Sequence, residues 1–106
     1  MDIQGMAYYL CFNLGTTLTA ALAGVTDRTL PDDWSNGSAQ PNLAETARLH
    51  FAYAVFSQVS KSDSADVARA LFIGANPDLG DDTIITAIRE DRFLEVHAAV
   101  HLFVTA

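Results

Sequence analysis

His97 and His101 stand four residues apart and share one face of any helix that carries them, a spacing metalloproteins use when a third ligand comes from elsewhere. No HExxH motif supplies that ligand, and no second cluster of His, Cys or carboxylate stands at ligand spacing. Asp32-Asp33 and Asp81-Asp82 are paired carboxylates, but adjacent residues on a helix diverge by about 100° and do not face one another. Helix capping and solvated charge account for them better than acid–base work. The segment Gly74–Gly80 lacks the lysine and the strand of a phosphate cradle, and the serines follow no nucleophile-elbow pattern. Cys11, between Leu10 and Phe12, reads as a buried structural thiol. Catalysis is therefore not expected, and neither a metal nor a cofactor.

Surface and core remain as the source of function. Half of the 106 residues are hydrophobic and 18% are charged, enough for a core and too apolar for disorder. Thirteen acidic and six basic side chains give a net charge of −7, spread over both halves, so no basic face follows a phosphate backbone. The acidic balance suits a basic partner surface. A single cysteine fits a reducing compartment, the first residues lack a basic signal-peptide region, and no run approaches the ~20 apolar residues of a membrane span. A cytoplasmic protein with no membrane partner is expected.

The elements that position these residues are helical. Ile3, Met6, Tyr8, Tyr9, Leu10, Phe12 and Leu14 predict a helix over residues 2–14, a buried strand being the alternative. A second helix over residues 16–23 has Thr16 or Thr17 as cap and Gly24 as its stop. A third begins near Thr29, with Thr29 and Asp32 in a capping-box-like arrangement that tolerates Pro31. Ser35 to Asn42 is a polar turn. From Leu43 to about Val59 the apolar residues recur at helical intervals, with Glu45 and Arg48 spaced to pair, and the apolar surface is wide enough for a central scaffold or a half-covered interface. Ser62, Asp63 or Ser64 caps a helix from Ala65 to Ile73, which Asn76-Pro77 interrupts. Asp81 or Asp82 caps a short helix bearing Ile84, Ile85 and Ile88, and a last helix runs from beyond Asp91 to an apolar end that suggests docking. Trp34, Phe72, Phe93 and Phe103 lie near breaks or ends, where aromatics anchor interfaces, although core filling is the expectation for most of them.

Two sets of residues carry family resemblances. Ala20, Gly24, Val25, Thr26, Thr29, Leu30, Trp34 and Gly37 resemble the helix-turn-helix of Xre-type regulators. Phe72, Asn76-Pro77, Leu79-Gly80, Ile84, Ile88 and Val96, within residues 64–104, resemble the toxin-binding domain of the Xre/MbcA/ParS antitoxins, partners of RES-domain toxins. The chain departs from that pattern at Asp81 and Asp91, where glycine is common, and at Ile84 or Ile85, where proline is common.

The expected architecture is all-α, with five or six short helices. Residues 1–60 form a degenerate helix-turn-helix half with the scaffold helix, and residues 61–106 a toxin-binding-like half. The resemblance implies an antitoxin-like protein that neutralises a RES-type, NAD-consuming toxin. Asp91, Arg92 and Phe93 at the start of the last helix, and His101, Phe103, Val104 and Ala106 at its end, would obstruct the toxin. The helix-turn-helix half implies self-association as a homo-oligomer and autoregulation. The alternative is a small transcriptional regulator that binds DNA as a dimer through Thr26, Arg28 and Thr29, although Asp32-Asp33 on the recognition helix would repel phosphates.

Overall fold

Glycine, proline and short polar side chains divide the chain into helices, and the structure, a computed structural model, describes residues 1–106. The α-helices are α1 (Ile3–Leu14), α2 (Thr16–Ala23), α3 (Leu30–Asn36), α4 (Leu43–Ser62), α5 (Ala65–Ile73), α6 (Ile84–Arg89) and α7 (Phe93–Thr105), with a 3₁₀ turn at Pro77–Leu79. The protein is all-α. It has seven α-helices where five or six are expected; every segment that the caps and breaks mark off is a helix of its own, including the short α3 and α6, of 7 and 6 residues.

Local capping explains most boundaries. Asp2, Asn42 and Ser64 accept hydrogen bonds from the first-turn amides of α1, α4 and α5. Gly24 ends α2 at φ +86°, in the left-handed region that glycine enters without a Cβ penalty.

Four expected local contacts are replaced by others. Gly15, not Thr16 or Thr17, is the N-cap of α2, because α1 and α2 abut with no residue between them to spare for a side-chain cap. Thr29 and Asp32 form no capping box; the Thr29 amide and hydroxyl both donate to Asp27 Oδ1, at 2.9 and 2.7 Å. Thr83, not Asp81 or Asp82, caps α6, its hydroxyl accepting from Thr86 N at 3.0 Å, since Asp81 is held in a left-handed turn and Asp82 is turned to Arg92. Glu45 does not pair with Arg48. Its carboxylate accepts from Asn42 N at 2.9 Å and completes a capping box, which frees Arg48 for partners outside α4.

One hydrophobic cluster joins both halves of the chain. Leu10 and Leu14 of α1, Leu22 of α2, Leu49, Phe56 and Val59 of α4, Phe72 of α5, Ile84 and Ile88 of α6, and Val96 and Val100 of α7 all belong to it. Phe56 is its centre, edge-on to Tyr9 at 5.8 Å and to Phe72 at 5.3 Å between ring centroids. The radius of gyration, 12.8 Å, is that of a compact domain of about this length. No helix is long and apolar enough to cross a membrane.

Candidate functional site

The chain Ile88–Leu94 turns sharply between α6 and α7, and this corner is built by two arginines. Arg92 Nη1 donates to Asp82 Oδ2 at 2.7 Å and Glu90 Oε1 at 3.0 Å, Nε to Glu95 Oε2 at 2.9 Å, and Nη2 to Glu95 Oε1 and the Leu79 carbonyl, both at 3.1 Å. Its hydrogen bonds hold the Glu95 carboxyl below the ordinary carboxylate range. Arg92 is thus consumed in fixing the corner and is not a free cation. Arg48 reaches over from α4: Nε and Nη2 grip the two Asp91 oxygens at 3.0 and 3.2 Å, and Nη1 donates to the Ala23 carbonyl at the end of α2, at 2.9 Å. Asp91 itself lies at φ +61°.

Beside the corner, Phe93 is half-buried and stacks on Phe51 of α4, with centroids 4.5 Å apart and planes 12° from parallel. The pair floors a groove of about 590 Å³ lined also by Leu43, Thr46, Ala47, His50 and Ala54. Leu43 and Leu94, 91% and 86% exposed, stand at the start of α4 and at the start of α7.

The other expected partner-binding residues lie at the far end of α7, a distance of roughly 15–20 Å at 1.5 Å per residue. His101 and Ala106 are exposed, and Phe103 is 38% exposed. Val104 is half-buried and packs against the core. The two ends are therefore separate patches of one helix, joined along its outward face by Leu94, His97, Ala98, His101 and Leu102, all exposed. Sequence spacing missed Leu43, Leu94 and Leu102 as surface residues. The usable signal is their position outside the buried Val96/Val100 stripe of α7 and the buried Leu49/Phe56 stripe of α4.

Of the four aromatics near breaks, Trp34 and Phe72 are core residues and only Phe103 is exposed. Thr26, Arg28 and Thr29 are exposed in the turn between α2 and α3. The helix that follows carries no cation, only Asp32 and Asp33, and it packs chiefly on α1. Cys11 is half-buried and not fully buried as expected; burial pushes its thiol up, opposed by a hydrogen bond with Thr19 and assisted by the nearby Asp32 charge. His97 and His101 are exposed, and no group of three or more His, Cys, Asp or Glu side chains comes close enough together to hold an ion.

No protein-family model, curated protein or solved structure matches this chain significantly.

Proposed function

We propose that the chain is an antitoxin-like protein that binds and blocks a RES-type, NAD-consuming toxin with its C-terminal helices. Backbone geometry at the positions where the chain departs from the antitoxin pattern carries this reading. Asp81 and Asp91, where the pattern has glycine, lie at φ +67° and +61°, the left-handed region that favours glycine and that aspartate tolerates better than most residues. Ile84, one of the two candidates for the pattern's proline, is the first residue of α6, where a missing amide hydrogen costs nothing. The loop shapes are those the pattern's own residues would favour, although the residues differ.

The exposed apolar side chains agree with this role. Leu94, Leu102 and Phe103 on α7 offer anchors, and the net charge of −7 suits a basic partner. Because Val104 is tied to the core, Leu102 is the better companion to Phe103 in a binding variant. The test is a pull-down with tagged protein from its native cell extract, alongside a Leu102→Ala/Phe103→Ala variant. Retention of a RES-domain protein by the wild type and its loss from the variant are expected. Absence of any RES-domain protein from the wild-type eluate contradicts the proposal.

A further inference from the structure

Of the four asparagines in the chain only Asn36 precedes a glycine. It is the exposed last residue of α3, and Gly37 closes that helix in the left-handed region at φ +81°. The other glycines that end a helix, Gly15, Gly24, Gly74 and Gly80, each donate their N–H to a carbonyl of the helix they close. The Gly37 N–H donates to none. The Asn36 carboxamide is held firmly by contrast, its Oδ1 accepting from Ser38 N at 2.9 Å and from Ser38 Oγ at 2.5 Å. An unbonded backbone nitrogen therefore lies next in the chain to a carbonyl polarised by two donors.

We propose that Asn36-Gly37 is a self-modification site, at which the folded chain loses the asparagine amide and forms an aspartyl or isoaspartyl residue. The Gly37 nitrogen attacks Asn36 Cγ. The N–Cγ bond forms, the Cγ–Nδ2 bond breaks, and the proton shed by the Gly37 nitrogen ends on the departing ammonia. Negative charge develops on Oδ1 during the attack, where the two Ser38 donors already point. Water, the only co-reactant, then opens the succinimide. Addition at Cγ restores the main chain with an aspartyl side chain; addition at the Asn36 main-chain carbonyl carbon leaves the main chain running through Cγ, as isoaspartate. The remaining asparagines lack this arrangement. Pro77 has no N–H to attack Asn76, and Asn13 and Asn42 precede leucines, whose side chains crowd the attacking nitrogen.

Either product weakens the same contact. It adds a carboxylate at the C-terminal end of α3, where the helix dipole disfavours negative charge, three and four residues from Asp33 and Asp32. Isoaspartate also lengthens the main chain at a turn that sits close on α1: a Cβ at Gly37 would meet Gln4 Oε1 at 3.2 Å. Because α3 packs chiefly on α1, conversion loosens that pair of helices. The site is independent of what α7 binds.

The test is to incubate the whole folded chain at neutral pH and sample it over weeks. Peptide mapping by mass spectrometry reads the exchange of NH2 for OH at each asparagine, and an isoaspartyl-specific methyltransferase with labelled S-adenosylmethionine reads the isoaspartyl product. Asn36 is expected to convert roughly tenfold or more faster than Asn13, Asn42 or Asn76, and Ser38→Ala, at an exposed position, to slow it several-fold by removing the hydroxyl donor. The urea midpoint of the wild type falls as the amide is lost, whereas that of Asn36→Gln, whose longer side chain closes a ring far more slowly, holds over the same weeks. Circular dichroism reports whether each variant remains helical at the start. An Asn36 that keeps its amide as long as the other three, or a Ser38→Ala chain that converts as fast as the wild type, overturns the proposal.

Discussion

Arg48 and Asp91 are 43 residues apart in sequence and in direct contact in the fold, two guanidinium nitrogens on two carboxylate oxygens at 3.0 and 3.2 Å. The same guanidinium caps α2 through the Ala23 carbonyl. One side chain therefore ties the scaffold helix to the end of α2 and to the corner that launches α7, and the position of the proposed partner surface depends on it.

Replacing Arg48 by Met keeps the length of the side chain and removes all three bonds. Because Asp91 is more than half exposed, the ion pair is screened, and the loss is dominated by the Ala23 carbonyl; about 1–2 kcal/mol is expected. Urea unfolding measures it, and an unchanged midpoint would show that the tether is ornamental.

The left-handed aspartates separate backbone from side-chain effects. Asp81 is exposed at φ +67°, so Asp81→Gly should stabilise by about 0.5–1 kcal/mol and Asp81→Ala should destabilise by a similar amount. At Asp91 the same glycine relieves the backbone and breaks the ion pair, and the two effects nearly cancel within about 0.5 kcal/mol. A thermal or urea series across the three variants checks the ordering; equal responses to glycine at the two sites would contradict it.

Truncation at the centre of the core tests the shared packing. Phe56 is fully buried against Tyr9 and Phe72, and Phe56→Ala should cost about 3–5 kcal/mol. That is a large fraction of the stability of a domain this small, so residues of both halves should unfold together in one transition. Two separated transitions in wild-type denaturation, followed by Trp34 fluorescence and by helical circular dichroism, would instead indicate that the halves are independent.

Acid should loosen the corner first. Arg92 lowers the Glu95 carboxyl, and Thr29 lowers that of Asp27. A carboxylate with a depressed folded value contributes stability that is complete above its unfolded value, about 4.3 for Glu and 3.9 for Asp, and lost as the pH falls through the folded one. Stability is thus expected to decline below about pH 4.5, and Glu95→Gln should flatten the decline in that window. Urea midpoints across the acid range decide; an identical slope for the variant would remove Glu95 from the account.

Much of this fold was legible because its signals are local. Gly24 after Ala23, Ser64 before Ala65 and Asn76-Pro77 after Ile73 each act within a turn of where they stand, and α1, α2 and α5 lie where these residues and the apolar spacing predict, whereas α4 runs past Val59 through the polar residues to Ser62. Pairing over distance was not legible. Nothing in the spacing around Arg48 says that, of 13 acidic residues, it meets Asp91 and not Glu45, because that depends on how α4 crosses the α6–α7 corner. Surface aromatics failed for a related reason. Tyr8 and Phe12 look like core in an apolar helix, but α1 has only one neighbour-facing side, taken by Ala7, Leu10 and Leu14. The candidate site was half visible: the apolar end of α7 stands out in sequence, whereas the Phe51–Phe93 stack and the exposed Leu43 needed the packing of α4 on α7.

The most direct measurement is the NAD-consuming activity of a RES-domain toxin from the same cells, titrated with the purified chain and with the Leu102→Ala/Phe103→Ala variant. Stoichiometric inhibition by the wild type and at least tenfold weaker inhibition by an equally stable variant are predicted. An enzyme that ignores the wild-type chain, or that both proteins inhibit equally, would contradict the claim that the C-terminal helices neutralise a toxin.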